Sequence, residues 1–325
     1  MIGNGGVMKK AVMLFIILLL SVEFIYSKNI LIVQDGSSQD VCSYYKERIR
    51  NMEIVTLNTQ KDNIDFATIR DYDAILWICG DSHSTLSNNE KILLDKYLKI
   101  GNKGLYLEGE NIINDSAFID NGFFYKRNFN IKYLNYDNGK VEVATHWSNP
   151  ITWGMKEKFF INTISKIDVM GFEGFNERDI IMKIEEKNNH NKEVKCLGVG
   201  IDRYNYRAAL LSFSPALRNV REIDTSSMIN NLADWLTLSG RDIIEKIISR
   251  NDVKDSYSEL LMRRIINAFD LGIYTEFDFM QQKYKEGVFP EFLYKYIFEN
   301  LKGKYQEQSD WQNNDEIKLR VGVVN

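Results

Sequence analysis

Cysteine, histidine and proline each occur only three times in 325 residues. Three scattered histidines, with no His-x-x-x-His spacing, do not supply the ligand pattern of a structural or catalytic zinc site, so no metal is expected. Cys42, Cys79 and Cys196 are an odd and sparse set, which excludes a disulfide framework and allows at most one bridge within the chain. An excess of basic charge is also missing. Lys and Arg number 41 against 45 Asp and Glu, for a net charge of −4. Nucleic-acid binding normally leaves a basic footprint, so nucleic acid is not an expected partner. The sequence shows neither an internal repeat nor a low-complexity linker.

Apolar material is not lacking. Hydrophobic residues make up 44% of the chain and charged residues 26%, enough for a sizeable core. The length suggests about two domains. Near the start, Met8-Lys9-Lys10 precedes an apolar run from Ala11 to Val22, then Glu23 and Phe24-Ile25-Tyr26-Ser27. A basic start, about a dozen apolar residues and a small residue at the exit match a secretory signal over residues 1–27, with the true start at Met1 or Met8. The run is short for a bilayer span, which needs about 20 apolar residues. The expectation is export to the periplasm or the extracellular space. The competing reading is an uncleaved membrane anchor, and only that reading brings a membrane contact. No Cys follows the run to accept a lipoprotein-type anchor.

Beyond the signal, short apolar strands alternate with amphipathic helices. Asn29–Val33, Glu53–Leu57, Asp73–Cys79 and Gly104–Leu107 read as strands, and Asp40–Asn51 as a helix. Ser87-Asn-Asn-Glu90 is a capping box, with Ile92, Leu93, Tyr97 and Leu98 at helical spacing behind it. This alternation predicts βαβ units and an α/β fold built on a mostly parallel sheet with helices on both faces. Further strands are predicted at Phe129–Leu134, Val141–Ala144, Asp179–Ile184, Val194–Ile201 and Arg207–Phe213, then a helix from Ser226 to Leu238. Residues 240–325 are helical in pattern and form a small C-terminal region, either a bundle or a collar on the first domain. Ser256 and Thr275 read as N-caps, Pro290 as a first-turn proline and Gly303 as a terminator.

The order of these segments resembles the class I glutamine amidotransferase-like superfamily, in its non-amidotransferase branch of exported and trehalose-utilisation-type proteins. The resemblance rests on Asp71–Asp81, on Thr85-Leu-Ser87 with its helix, and on Gly101–Gly109. It continues in Asn149-Pro-Ile-Thr-Trp-Gly-Met155 and in Arg207–Phe213 leading to Asn231–Leu236. It covers residues 28–239 and implies a flavodoxin-like α/β domain there. In active amidotransferases a Cys sits on the turn after the fourth strand. Here that turn is Leu105-Tyr-Leu-Glu-Gly-Glu-Asn111, without Cys, Ser or Thr, and residues 214–225 contain no His for the later His-x-Glu pair. A thioester requires a nucleophile at that turn, so the ancestral acyl transfer is not expected.

In an open parallel sheet, ligands bind beyond the carboxyl ends of the strands. Three loops should meet there and bring Asp35, Ser37, Ser38, Asp81, Ser82, His83, Glu108, Glu110 and Asn111 to a small polar cleft. Each of these also has a simpler use as a helix cap or turn former. Cys79 with His83 is the tempting nucleophilic pair, yet Cys79 continues an apolar strand, where a thiol acts as a small hydrophobe. A Cys42–Cys79 bridge fits the neighbouring placement of first helix and third strand. Gly36-Ser37-Ser38 before a helix resembles a flavin phosphate cradle, but Asp35 and Asp40 would repel the phosphate, and no cofactor is expected. Glu108 and Glu110 could serve as a carboxylate pair for glycoside hydrolysis, and Trp147, beside His146, could stack on a sugar.

The expectation that follows is an exported, non-catalytic binding or assembly module with no catalytic residue. Its helical C-terminal region, rich in Phe and Tyr, would dock a protein partner or a second copy, and its cleft would take a small polar ligand. The alternatives are a hydrolase of a sugar or amide using the strand-edge carboxylates, and a membrane-anchored component of an envelope complex.

Overall fold

β1 (Asn29–Gln34) is a short run of Ile, Leu and Val with every inner position buried, and it lies between two parallel neighbours. A computed structural model describes residues 28–36, 40–82, 85–114, 122–145, 149–172, 179–185, 194–217, 225–249, 254–271 and 273–306. On one side of β1 is β2 (Glu53–Asn58), a half-exposed edge strand. On the other is β3 (Ala74–Gly80), buried along its whole length. A continuous apolar strand of this kind is what a parallel sheet covered on both faces requires. β4 (Lys103–Gly109) and β9 (Tyr206–Leu211) complete a five-stranded parallel half, order β2-β1-β3-β4-β9.

The other half is antiparallel. Beyond β9 come β8 (Lys195–Asp202), β6 (Lys158–Phe172), β5 (Ile131–Thr145) and β7 (Ile180–Ile184), making nine strands among the described residues. The sheet is therefore mixed, which corrects the expectation of a mostly parallel one. The reason lies in the connections. β8 turns directly into β9, and β5 and β6 form one long antiparallel ribbon, so neither pair needs the crossover helix that parallel strands demand.

Helices cover both faces. α1 (Cys42–Lys46) and α5 (Thr225–Thr237) lie on one face; α2 (Phe66–Ile69), α3 (Asn88–Leu98) and α4 (Phe123–Phe129) lie on the other. The Ser87 hydroxyl accepts the Glu90 N–H while the Glu90 carboxylate accepts the Ser87 N–H, the reciprocal cap that starts α3. α5 sits very close to β4. A Cβ on Gly104 would lie 2.6 Å from the Leu236 carbonyl oxygen and 2.8 Å from its Cβ. Gly104→Ala is expected to destabilise the protein by about 1–3 kcal/mol, because backbone rather than a flexible side chain must move. A urea midpoint unchanged from the parent would contradict that close contact.

Four more helices follow: α6 (Gly240–Ser249), α7 (Lys254–Asp270), α8 (Thr275–Lys285) and α9 (Glu291–Gln306). Ile243, Leu261, Ile265, Phe277, Leu293 and Ile297 belong to the same buried cluster as Ile30, Ile32 and Tyr45 of the sheet side. A charged bolt reinforces this packing. Arg207 of β9 and Arg264 of α7 both meet Asp202, and Arg264 also holds Glu276 of α8. Local cap signals in this region mislead. Ser256 lies inside α7, Gly303 lies inside α9, and α8 has no side-chain cap at its start. Among the described residues no helix is long and apolar enough to cross a membrane.

Candidate functional site

The carboxyl ends of β1, β3, β4 and β9 carry Asp35, Asp81 with Ser82, Glu108 through Asn111, and Ser214. Side chains alternate between faces along a strand, and this divides the group. Asp35 follows Leu31 and Val33 in register and turns to their face. There its carboxylate accepts the Trp77 indole N–H at 2.9 Å and the Thr59 hydroxyl at 2.8 Å, with the Cys79 thiol at 3.8 Å. Glu108 follows Tyr106 and turns to the opposite face. Its Oε2 accepts the hydroxyls of Tyr45 and of Tyr106 (2.7 Å), and its Oε1 accepts the Ser214 hydroxyl at 2.6 Å. The two acids expected to share a cleft thus stand on opposite sides of the sheet.

Glu108 is 0% exposed. Removal from water disfavours the charged carboxylate, the hydroxyls of Ser214, Tyr45 and Tyr106 offset this only in part, and the Glu110 charge adds to the rise. The result is a carboxyl pushed up to about 7. The phenols of Tyr45 and Tyr106 are raised well above their usual range, first by burial and then by the Glu108 charge. Asp35 is also raised, chiefly by burial, against the lowering pull of the Trp77 hydrogen bond. Tyr106 could be found from its spacing two residues before Glu108. Tyr45 and Ser214 arrive from distant segments and left no local signal.

The turn after β4 is tight. Gly80 has φ of 60°, the Glu110 N–H donates to the Gly80 carbonyl at 2.9 Å, and a Cβ on Gly109 would meet the Cys79 Cβ at 2.9 Å. Glu110 is buried at 7% exposure, Asp81 is exposed, and Ser82 and Asn111 are half-buried. The helical turn that begins at Ile112 has its first amides occupied. Asp168 of β6 accepts the N–H groups of Ile113 and Asn114, both at 2.9 Å. A helix start that would attract an anion therefore already holds a carboxylate of the chain. Ser37, Ser38, His83, His146 and Trp147 lie outside the described residues.

All three thiols are free and buried. Cys79 is fully buried, and desolvation together with the Asp35 charge pushes its thiol well above the usual range. A nucleophile needs the opposite shift, so Cys79 is a core residue in this arrangement. Cys42 belongs to the other face of the sheet, which excludes the Cys42–Cys79 bridge considered from the sequence. Among the described residues no group of three or more His, Cys, Asp or Glu could hold a metal ion.

No family model matches the chain, and no curated protein matches it. Solved structures similar to it include a ThuA-like protein from Bacteroides uniformis, with TM-score 0.44, 13% identity, and coverage of 64% of this chain and 91% of that one. A candidate GMP synthase component from Thermoplasma acidophilum has TM-score 0.38 and 12% identity, covering 64% and 93%. A glutamine amidotransferase from Thermotoga maritima has TM-score 0.35 and 10% identity, covering 91% and 94%. These scores assign the chain to no family.

Proposed function

We propose that this chain is an exported, non-catalytic binding or assembly module in the periplasm or cell envelope, built on the flavodoxin-like scaffold of the amidotransferase-like superfamily. One observation carries the proposal: the acid at the end of β4 has no exposed surface, and both its oxygens are engaged by hydroxyls of the chain. A reacting group must touch its substrate, and Glu108 touches Tyr45, Tyr106 and Ser214 instead. It acts as a plug that ties α1, β4 and the segment after β9 together. The aromatic-rich helical end would then offer the docking surface for a protein partner or a second copy.

The hydrolase reading keeps one supporting observation. A carboxyl near 7 is what a general acid at neutral pH needs, and Glu110 follows two residues later. Screening the purified chain against chromogenic glycoside, ester and amide substrates, alongside Glu108→Gln, separates the two. The module reading expects no turnover in either protein. A turnover by the parent that Glu108→Gln abolishes while still folding cooperatively would overturn it. Export is tested separately by the mass of the mature chain, which should begin near Lys28.

A further inference from the structure

A cavity of about 640 Å³ opens at the other edge of the sheet, under the amino ends of β1, β4 and β9 and beside the end of α5. Its size lies within the range of small-molecule sites. Lys103, Arg207 and Arg264 line it, together with Tyr204, Tyr206 and Leu238.

The Lys103 ammonium donates to the Tyr72 carbonyl at 2.6 Å, which uses one of its three N–H groups. Burial pushes Lys103 below its usual range, while Asp73 and Asp71 pull the other way. Arg207 gives Nε to Asp202 and Nη1 to the carbonyls of Trp235 and Leu238, but its buried Nη2 has no partner among the described residues. Each acid on the wall holds donors of the chain through one carboxylate oxygen. Asp73 accepts the Asn29 N–H, and Asp242 accepts Lys28 and Ser239. Lys103 and Arg207 thus keep donors for a ligand.

A second, independent feature is strain. Tyr204 sits at the tip of the β8–β9 turn with φ of 57°, a left-handed conformation unusual for an aromatic residue. Its ring lies 5.0 Å from the Arg264 guanidinium carbon, on the cavity wall. Backbone strain that packing holds in place clusters at binding sites. A glycine would serve this turn without strain.

We propose that this cavity binds a small organic anion, whose carboxylate or phosphate oxygens meet Lys103 and Arg207 while its apolar part lies against Tyr204 and Leu238. Benzoate, phenyl phosphate and neutral benzamide, each at millimolar concentration and constant ionic strength, are the probes for the full-length protein. Calorimetry should show binding of one or both anions and none of benzamide, and the preferred anion distinguishes a carboxylate from a phosphate ligand. Lys103→Met should weaken that binding by at least about tenfold, the loss of a charge-assisted hydrogen bond. Tyr204→Gly should also weaken it, without lowering the melting temperature. Failure of both anions to bind, equal binding of benzamide, or unchanged affinity in both variants would overturn the proposal.

Discussion

Glu108→Gln is expected to remove a fall in stability of about 2–3 kcal/mol that the parent protein shows between about pH 5 and about pH 8. The Glu108 carboxyl rises from an ordinary 4.5 to about 7 on folding, because burial penalises its charge. The folded state therefore binds a proton that the unfolded state has already released. Its stabilising contribution is complete below the unfolded pKa and is lost as pH rises through the folded one. Glutamine has no proton to lose, so the variant gains on the parent steadily towards alkaline pH. For a chain of this size each kcal/mol moves the melting temperature by roughly 2–4 °C. Asp35, raised in the same direction, is present in both proteins and drops out of the difference. Glu108→Ala is a harsher change. It opens a cavity and leaves the hydroxyls of Tyr45, Tyr106 and Ser214 without their acceptor, an expected loss of about 3–5 kcal/mol. Parallel melting curves for parent and Glu108→Gln across this pH range would contradict the buried-acid assignment.

Arg207→Leu is expected to be as damaging, at about 3–5 kcal/mol. Arg207 is 3% exposed and closes the end of α5 by donating to the Trp235 and Leu238 carbonyls. Its removal orphans both carbonyls. It also leaves Asp202, whose side chain is 3% exposed, with only the Tyr204 N–H at 3.0 Å and Arg264 at 3.7 Å, a cation it shares with Glu276. An uncompensated charge is then buried between the sheet and the C-terminal helices. Removing the exposed pair Glu291–Lys295 should leave the urea midpoint essentially unchanged, because water screens it. Urea denaturation of the two variants checks the contrast, and similar midpoints would contradict the role given to the Asp202–Arg207–Arg264–Glu276 bolt.

Locally encoded features were readable in the sequence. The unbroken apolar run of β3 and the reciprocal Ser87–Glu90 cap each lie within a few residues, and the structure has both. The antiparallel half was harder. Phe129–Leu134 and Val141–Ala144 read as two strands, yet β5 runs through both with shifts of register near Tyr133 and Asp137, and β6 was not anticipated. Irregularities of this kind interrupt the alternation that marks a strand. Gly303 and Ser256 carry terminator and cap chemistry but lie within helices, and α9 is held by its buried residues Leu293, Ile297 and Leu301 rather than by local preference at Gly303. At the strand edge, Asp35, Glu108 and Glu110 were legible as polar residues ending apolar strands. Their division between two faces follows from side-chain parity, and only the fold brings Tyr45 and Ser214 to Glu108.

Carbon NMR titration of the Glu108 side-chain carboxyl in the folded protein tests the central claim most directly, with Glu108→Gln identifying the resonance. A buried plug predicts a midpoint near 7 and protection from carbodiimide labelling. A midpoint in the ordinary carboxylate range, together with rapid labelling, would show an open acid at the end of β4 and contradict the account.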